Sequence, residues 1–263
     1  RAAAQALAGK PALVLLGQIA QRHPQYGDLR ALAAGLRAVT GAPLGYLSEG
    51  PNAAGAALAG ATPHRGPGGT PAARAGFDAR GMLETPRNGY ILFGIEPSKD
   101  LAEGAAALRA FRGAAVVAFT SFVSDELNEV ADVLLPTCTF AETAGTFVNA
   151  EGRWQSFDAA ADPVGDSRPG WRVLRVLGNE LELPRCEYRT PSDVTADLER
   201  ELDGARALSP DETQYKGSFA PQTQGAATPA DTATLDVPIY AIDALVRRSQ
   251  PLQETVLGGQ GAA

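Results

Sequence analysis

The sequence predicts an α/β fold: a three-layer, doubly wound, mostly parallel sheet with an extended C-terminal tail. Three observations predict it. Short apolar runs alternate with segments of helical periodicity, the order expected of βα units. The runs are continuously apolar rather than alternating, as in parallel strands with helices on both faces. Most are closed by Gly or Pro, which stop a strand abruptly.

The elements follow in order. Residues 11–17, PALVLLG, read as a buried strand closed by Gly17. Residues 26–41 carry Leu29, Leu32, Leu36 and Val39 at helical spacing, with Gly41 as the stop. Residues 43–49, PLGYLSE, form a second strand candidate. The Gly-, Ala- and Pro-rich stretch 50–75 is irregular, apart from a short Ala helix near 53–59. A short helix over 76–84, a strand at 89–97 (GYILFGIEP), a helix over 98–113 and a strand at 114–122 come next. Ser124 opens a helix whose first turn holds Asp125 and Glu126, suited to its positive end. DVLLP is a fifth strand, ended by Pro136. Residues 168–184 and 190–204 are amphipathic helices, the second with Pro191 in its first turn and Gly204 at its end.

The organisation is therefore an α/β region over 1–204, a flexible linker over 205–236 and a docking tail over 237–263. The linker reading rests on its Ser, Thr, Gln, Ala, Gly and Pro composition. The tail regains apolar spacing at Val237, Ile239, Tyr240, Ile242, Leu245, Val246 and Leu252. It is expected to dock on the domain or on a neighbouring subunit, with Arg247 and Arg248 facing solvent or an acidic partner surface. The chain starts on Arg1 in sequence of mid-chain character and reads as a piece of a longer polypeptide.

Composition narrows the function classes. A chain 44% apolar can build a core, and a net charge of −7 without a basic stripe argues against a nucleic-acid partner. No apolar run approaches the ~18–20 residues of a membrane span. The two cysteines, Cys138 and Cys186, and the two histidines, His23 and His64, have no ligand-like spacing. A cluster or structural zinc takes about four such ligands, so no metal is expected on this chain. GPGG at 66–69 lacks the Lys-Ser/Thr of a phosphate loop, and GQIAQ lacks the later glycines of a dinucleotide fingerprint. No catalytic residue is proposed.

Residues 131–157, ADVLLPTCTFAETAGTFVNAEGRWQSF, stand apart. A strand leaves at Pro136, and the carboxyl ends of strands are where open α/β sheets bind ligands. Gly145 and Gly152 permit positive φ, while Thr143, Thr146, Asn149, Glu151, Arg153 and Gln155 supply hydrogen-bonding groups. On spacing alone the stretch is a hairpin-like excursion whose polar groups cap one another, over Phe140, Phe147, Val148 and Trp154.

These residues, with PGWRVLRVLGNELELP after them, resemble the molybdopterin-oxidoreductase superfamily. The shared pattern is ADxxLP, then E-x-x-G-T-F-x-N-x-EGR-x-Q, then the W-x-V-L-R helix. Within it, GIEP with Asp100 after it, AGTFVN paired with EGR and Q, and the tail VPIYAIDALVRR look most like the large iron–sulfur subunits of bacterial respiratory NADH:quinone oxidoreductase (complex I). Trp154 and Cys138 depart from the usual pattern.

The resemblance implies a structural C-terminal portion of a subunit whose upstream part carries 4Fe-4S and 2Fe-2S clusters. Its parent would pass electrons from NADH to quinone, coupled to proton translocation, at the cytoplasmic face of the inner membrane. Other peripheral-arm subunits would be its partners, and no cofactor would sit on this portion. Thr143, Gly145, Thr146, Asn149, Glu151, Gly152, Arg153 and Gln155 would be a vestigial pterin-side loop. The alternatives are a piece of a molybdopterin-dependent enzyme such as a formate dehydrogenase, and an unrelated α/β binding module.

Overall fold

A computed structural model describes Gln5 and residues 11–21, 23, 25–48, 50–203 and 238–257. The reading of 205–236 as a linker lies outside the described residues. The chain divides into two compact units, one of Arg1–Pro71, Phe147–Gln155 and Leu198–Asp236, the other of Ala72–Thr146, Ser156–Asp197 and Val237–Ala263.

In the first unit, β1 (Val14–Leu16) is followed by α1 (Gln18–Gln21) and α2 (Tyr26–Thr40), then β2 (Leu44–Tyr46) and α3 (Ala53–Leu58). The two strands are parallel, with Leu15 opposite Gly45. Helix α2 ends as its sequence suggests: Gly41 takes a left-handed conformation at φ 70°, and its N–H closes the last turn on the Arg37 carbonyl.

The second unit carries α4 (Ala79–Glu84), β3 (Gly89–Phe93), α5 (Pro97–Asp100), α6 (Gly104–Phe111), β4 (Ala115–Thr120), α7 (Asp125–Val130) and β5 (Val133–Pro136). Its sheet runs β3-β4-β5, all parallel. One face packs Tyr90, Leu92, Val116 and Ala118 against Ala107 and Phe111 of α6 and Leu127 and Val130 of α7. The Tyr90 and Phe111 rings meet edge to face at 4.8 Å. Ser124 caps α7, accepting from the Leu127 N–H at 3.3 Å. Asp132, in the ADVLLP stretch, accepts from Val116 N at 2.7 Å and so pins the start of β4.

Two features of this unit differ from the sequence reading. The helix expected over 98–113 is two helices, broken at Leu101, whose backbone is extended. Asp100 turns back to accept the Glu96 N–H, which closes the first turn. Gly104 lets the second helix approach Pro97 and Ser98 so closely that a Cβ there would lie 2.7 Å from backbone. The second difference is burial. Ile91, Phe93, Val133 and Leu135 point away from α6 and α7, and Ile91 is 56% exposed. That face meets α8 (Gly170–Glu180) around Phe93, Phe119 and Leu135.

Between β5 and α8 lie β6 (Gly145–Val148) and β7 (Trp154–Phe157), which pair as a two-stranded sheet, and α9 (Pro191–Asp203) follows α8. The tail forms two short 3-10 turns, Ile239–Ala241 and Val246–Arg248, then α10 (Gln250–Gln253). No described helix is long and apolar enough to cross a membrane.

Candidate functional site

The polar stretch after β5 folds largely onto itself. Glu142 reaches back to accept the Thr139 N–H at 2.7 Å and the Thr139 hydroxyl at 2.9 Å, and takes the Val164 N–H at 3.2 Å. These bonds, the Thr139 backbone donor foremost, hold its carboxyl below the ordinary value of 4.5. A carboxyl depressed in the folded chain stabilises it above the unfolded-chain pKa, and that contribution fades as pH falls through the folded value. Glu142→Gln should therefore flatten the acid limb of stability below about pH 4.5 and cost on the order of 1 kcal/mol at neutral pH. Acid titrations of both proteins followed by circular dichroism check this; superimposable curves would contradict it.

The β6–β7 sheet brings some of the sequence-singled residues together. At the turn, the Asn149 side-chain oxygen accepts from the N–H groups of Glu151 and Arg153 at 3.0 and 2.9 Å. Gly152 has φ 79°, the left-handed value that the turn demands, and its N–H bonds the Asn149 carbonyl. Thr146 shares a 3.0 Å hydrogen bond with Ser156 and lies 3.5 Å from the Thr195 hydroxyl. Gly145 sits under Phe157, whose ring a Cβ would touch at 3.1 Å. Thr143 bonds the neighbouring Ala144 carbonyl. The Glu151, Arg153 and Gln155 side chains are exposed. Val148 is buried, and its N–H is taken by the Asn52 side chain at 2.8 Å. Phe140, expected beneath the loop, is 58% exposed.

A second constellation lies at the carboxyl ends of β3, β4 and β5. Gly94, Ser121 and Cys138 follow these strands and line a cavity of about 220 Å³ together with Asp100, Phe122 and Thr139. Ile242, Asp243, Leu245 and Arg247 of the tail line the same cavity. Arg248 grips Glu96 with both terminal nitrogens, at 2.7 and 3.0 Å, and lies 4.3 Å from the centre of the Phe122 ring. Arg247 bonds Asp100 at 2.6 Å and lies 3.7 Å from Glu96. The Glu96 and Arg247 side chains are only 8% and 9% exposed. The sequence reading set these arginines toward solvent or a partner; the acidic surface they meet is instead this unit's own. The local signals were an acid pair just past a strand end and consecutive arginines in an apolar tail. Nothing in either stretch pairs them across some 150 residues.

Among the described residues, no group of three or more His, Cys, Asp and Glu side chains could hold a metal ion. Both cysteines are free thiols.

Comparison with known proteins gives a family match over residues 2–180, to the molybdopterin oxidoreductase model. The chain is 30% identical over 140 residues to the mitochondrial NADH-ubiquinone oxidoreductase 78 kDa subunit of Neurospora crassa, covering 51% of this chain and 19% of that protein. It is 37% identical over 70 residues to a Staphylococcus aureus protein named "Putative formate dehydrogenase", covering 27% of this chain and 7% of that one. The chain thus spans less than a fifth of the length of either relative. A match to the family model over well more than half of its residues, on a fold of parallel β/α units, places the chain: it belongs to the molybdopterin oxidoreductase family.

Proposed function

We propose that the chain is the structural, non-catalytic C-terminal part of the large iron–sulfur subunit of a respiratory NADH:quinone oxidoreductase. In this reading the clusters lie in the upstream part of the parent chain, and this part braces the other peripheral-arm subunits on the cytoplasmic face of a bacterial inner membrane. The carrying observation is the run of 140 residues, half of this chain, shared with the 78 kDa subunit.

The structure bears on whether the family's pterin group would fit. Binding pockets for ligands of that class run to about 300–1,000 Å³. With the tail seated the strand-end cavity has about 220 Å³; of its acids, Asp100 is taken by Arg247 and Asp243 by the Leu245 and Val246 N–H groups. These observations support the reading that no pterin group sits at this edge while the tail is seated. In the 143–155 stretch, Asn149 spends its side-chain oxygen on the turn, and Thr146 is bonded to Ser156. We therefore read this loop as architecture. A second reading, part of a formate dehydrogenase, draws on the higher identity of the Staphylococcus relative over its shorter run.

Exposed Glu151 and Arg153 offer a test, since the fold makes no evident use of their side chains. In the full-length parent, Glu151→Ala with Arg153→Ala should leave thermal stability within about 0.5 kcal/mol of wild type. The same variant should lower the yield of the assembled membrane-associated complex. A normal yield of complex would count against a bracing role for this hairpin.

A further inference from the structure

Parallel strands bring their carboxyl ends to one edge, and in open α/β sheets that edge is where ligands sit. Here the opposite wall of the crevice is the chain's own tail, a segment outside the 2–180 match to the family. The seated tail is hydrogen-bonded to itself. Asp243 accepts from the Leu245 and Val246 N–H groups, and Gln253 donates to the Tyr240 and Val246 carbonyls. Arg247 and Arg248 also donate back to the Ile242 and Ala244 carbonyls, so both guanidinium groups are held by the tail's own backbone as well as by Glu96 and Asp100.

The contacts are those a bound ligand would make. Arg248 supplies a planar fork to one carboxylate and stacks over an aromatic ring, and Arg247 adds a single hydrogen bond to Asp100. One nitrogen of Arg247, Nη1, is buried with no hydrogen-bond partner. That nitrogen faces Glu96 at 3.7 Å, a charge contact without a hydrogen bond.

We propose that residues 238–257 are an intramolecular plug: they occupy the strand-end crevice as a surrogate ligand, held by the two arginines on Glu96 and Asp100, and they can leave it without unfolding the sheet. The plug rests on this geometry alone, and its exchange readout does not depend on the parent's metal content.

Hydrogen exchange on the full-length parent, comparing wild type with Arg247→Gln/Arg248→Gln, tests the plug. Exchange across 238–257 and at the loops after β3 and β4 should rise at least tenfold in the variant, while Val116, Val117 and Ala118 keep wild-type protection. Should the double variant fold poorly, Glu96→Gln attacks the same seat from the other side and should release the same segments. Unchanged tail protection in both variants would overturn the proposal. So would loss of sheet protection together with the tail, because the arginines would then belong to the fold itself.

Discussion

Phe111→Ala should destabilise the second unit by about 3–5 kcal/mol, the range for removing a large aromatic side chain from a packed core. Phe111 is 2% exposed, at the end of α6, where it faces Tyr90 of β3 and the buried side chains of β4. Truncation removes the edge-to-face ring contact along with the buried area, and α6 cannot slide in to fill the gap. Gly104 at its other end is already in close contact with Pro97 and Ser98. Amide exchange at Val116 and Ala118 in β4, the most protected strand by burial, should accelerate by about two to three decades. An acceleration below tenfold would mean that this cluster does not hold the sheet.

Asp197→Ala should be the next largest loss, about 2–4 kcal/mol. Asp197 is buried; it accepts from Arg185 at 2.7 Å and from the Tyr188 hydroxyl, tying the 184–190 connection to α9. Removing it takes the acceptor from the Tyr188 phenol and the counter-charge from Arg185, which is half exposed and recovers part of its hydration. Titration gives an independent readout. The hydrogen bond to Asp197, foremost among the causes, raises the Tyr188 pKa above its ordinary 10.0. A raised pKa stabilises the fold below the unfolded value and loses that contribution as pH climbs through the folded one. In the variant, Tyr188 should titrate lower, and the alkaline limb of stability should shift with it. NMR of ring-labelled tyrosine checks the first; an unmoved Tyr188 resonance would contradict the assignment.

The strands and most helices were legible because local causes produce them. Gly41 stops α2, Ser124 caps α7, and the apolar runs at 89–93, 115–120 and 133–136 pair as parallel strands, although one face of them is less buried than continuous apolar runs imply. The break at Leu101 was hidden because its causes are side-chain and packing events: the Asp100 carboxylate on its own turn and the tight seat of Gly104. The Glu142 bonds to Thr139 were within reach of sequence reasoning, since Thr followed three residues later by Glu is a capping signature. The tail's seat was out of reach, because neither charge periodicity nor apolar spacing pairs Arg248 with Glu96 across such a separation.

Quantifying iron and molybdenum together in the purified full-length parent tests the proposed function most directly. A structural part of an NADH:quinone oxidoreductase subunit predicts iron in stoichiometric amount and molybdenum at background. Molybdenum near one atom per chain would contradict it and return the parent to the cofactor-bearing enzymes of the family.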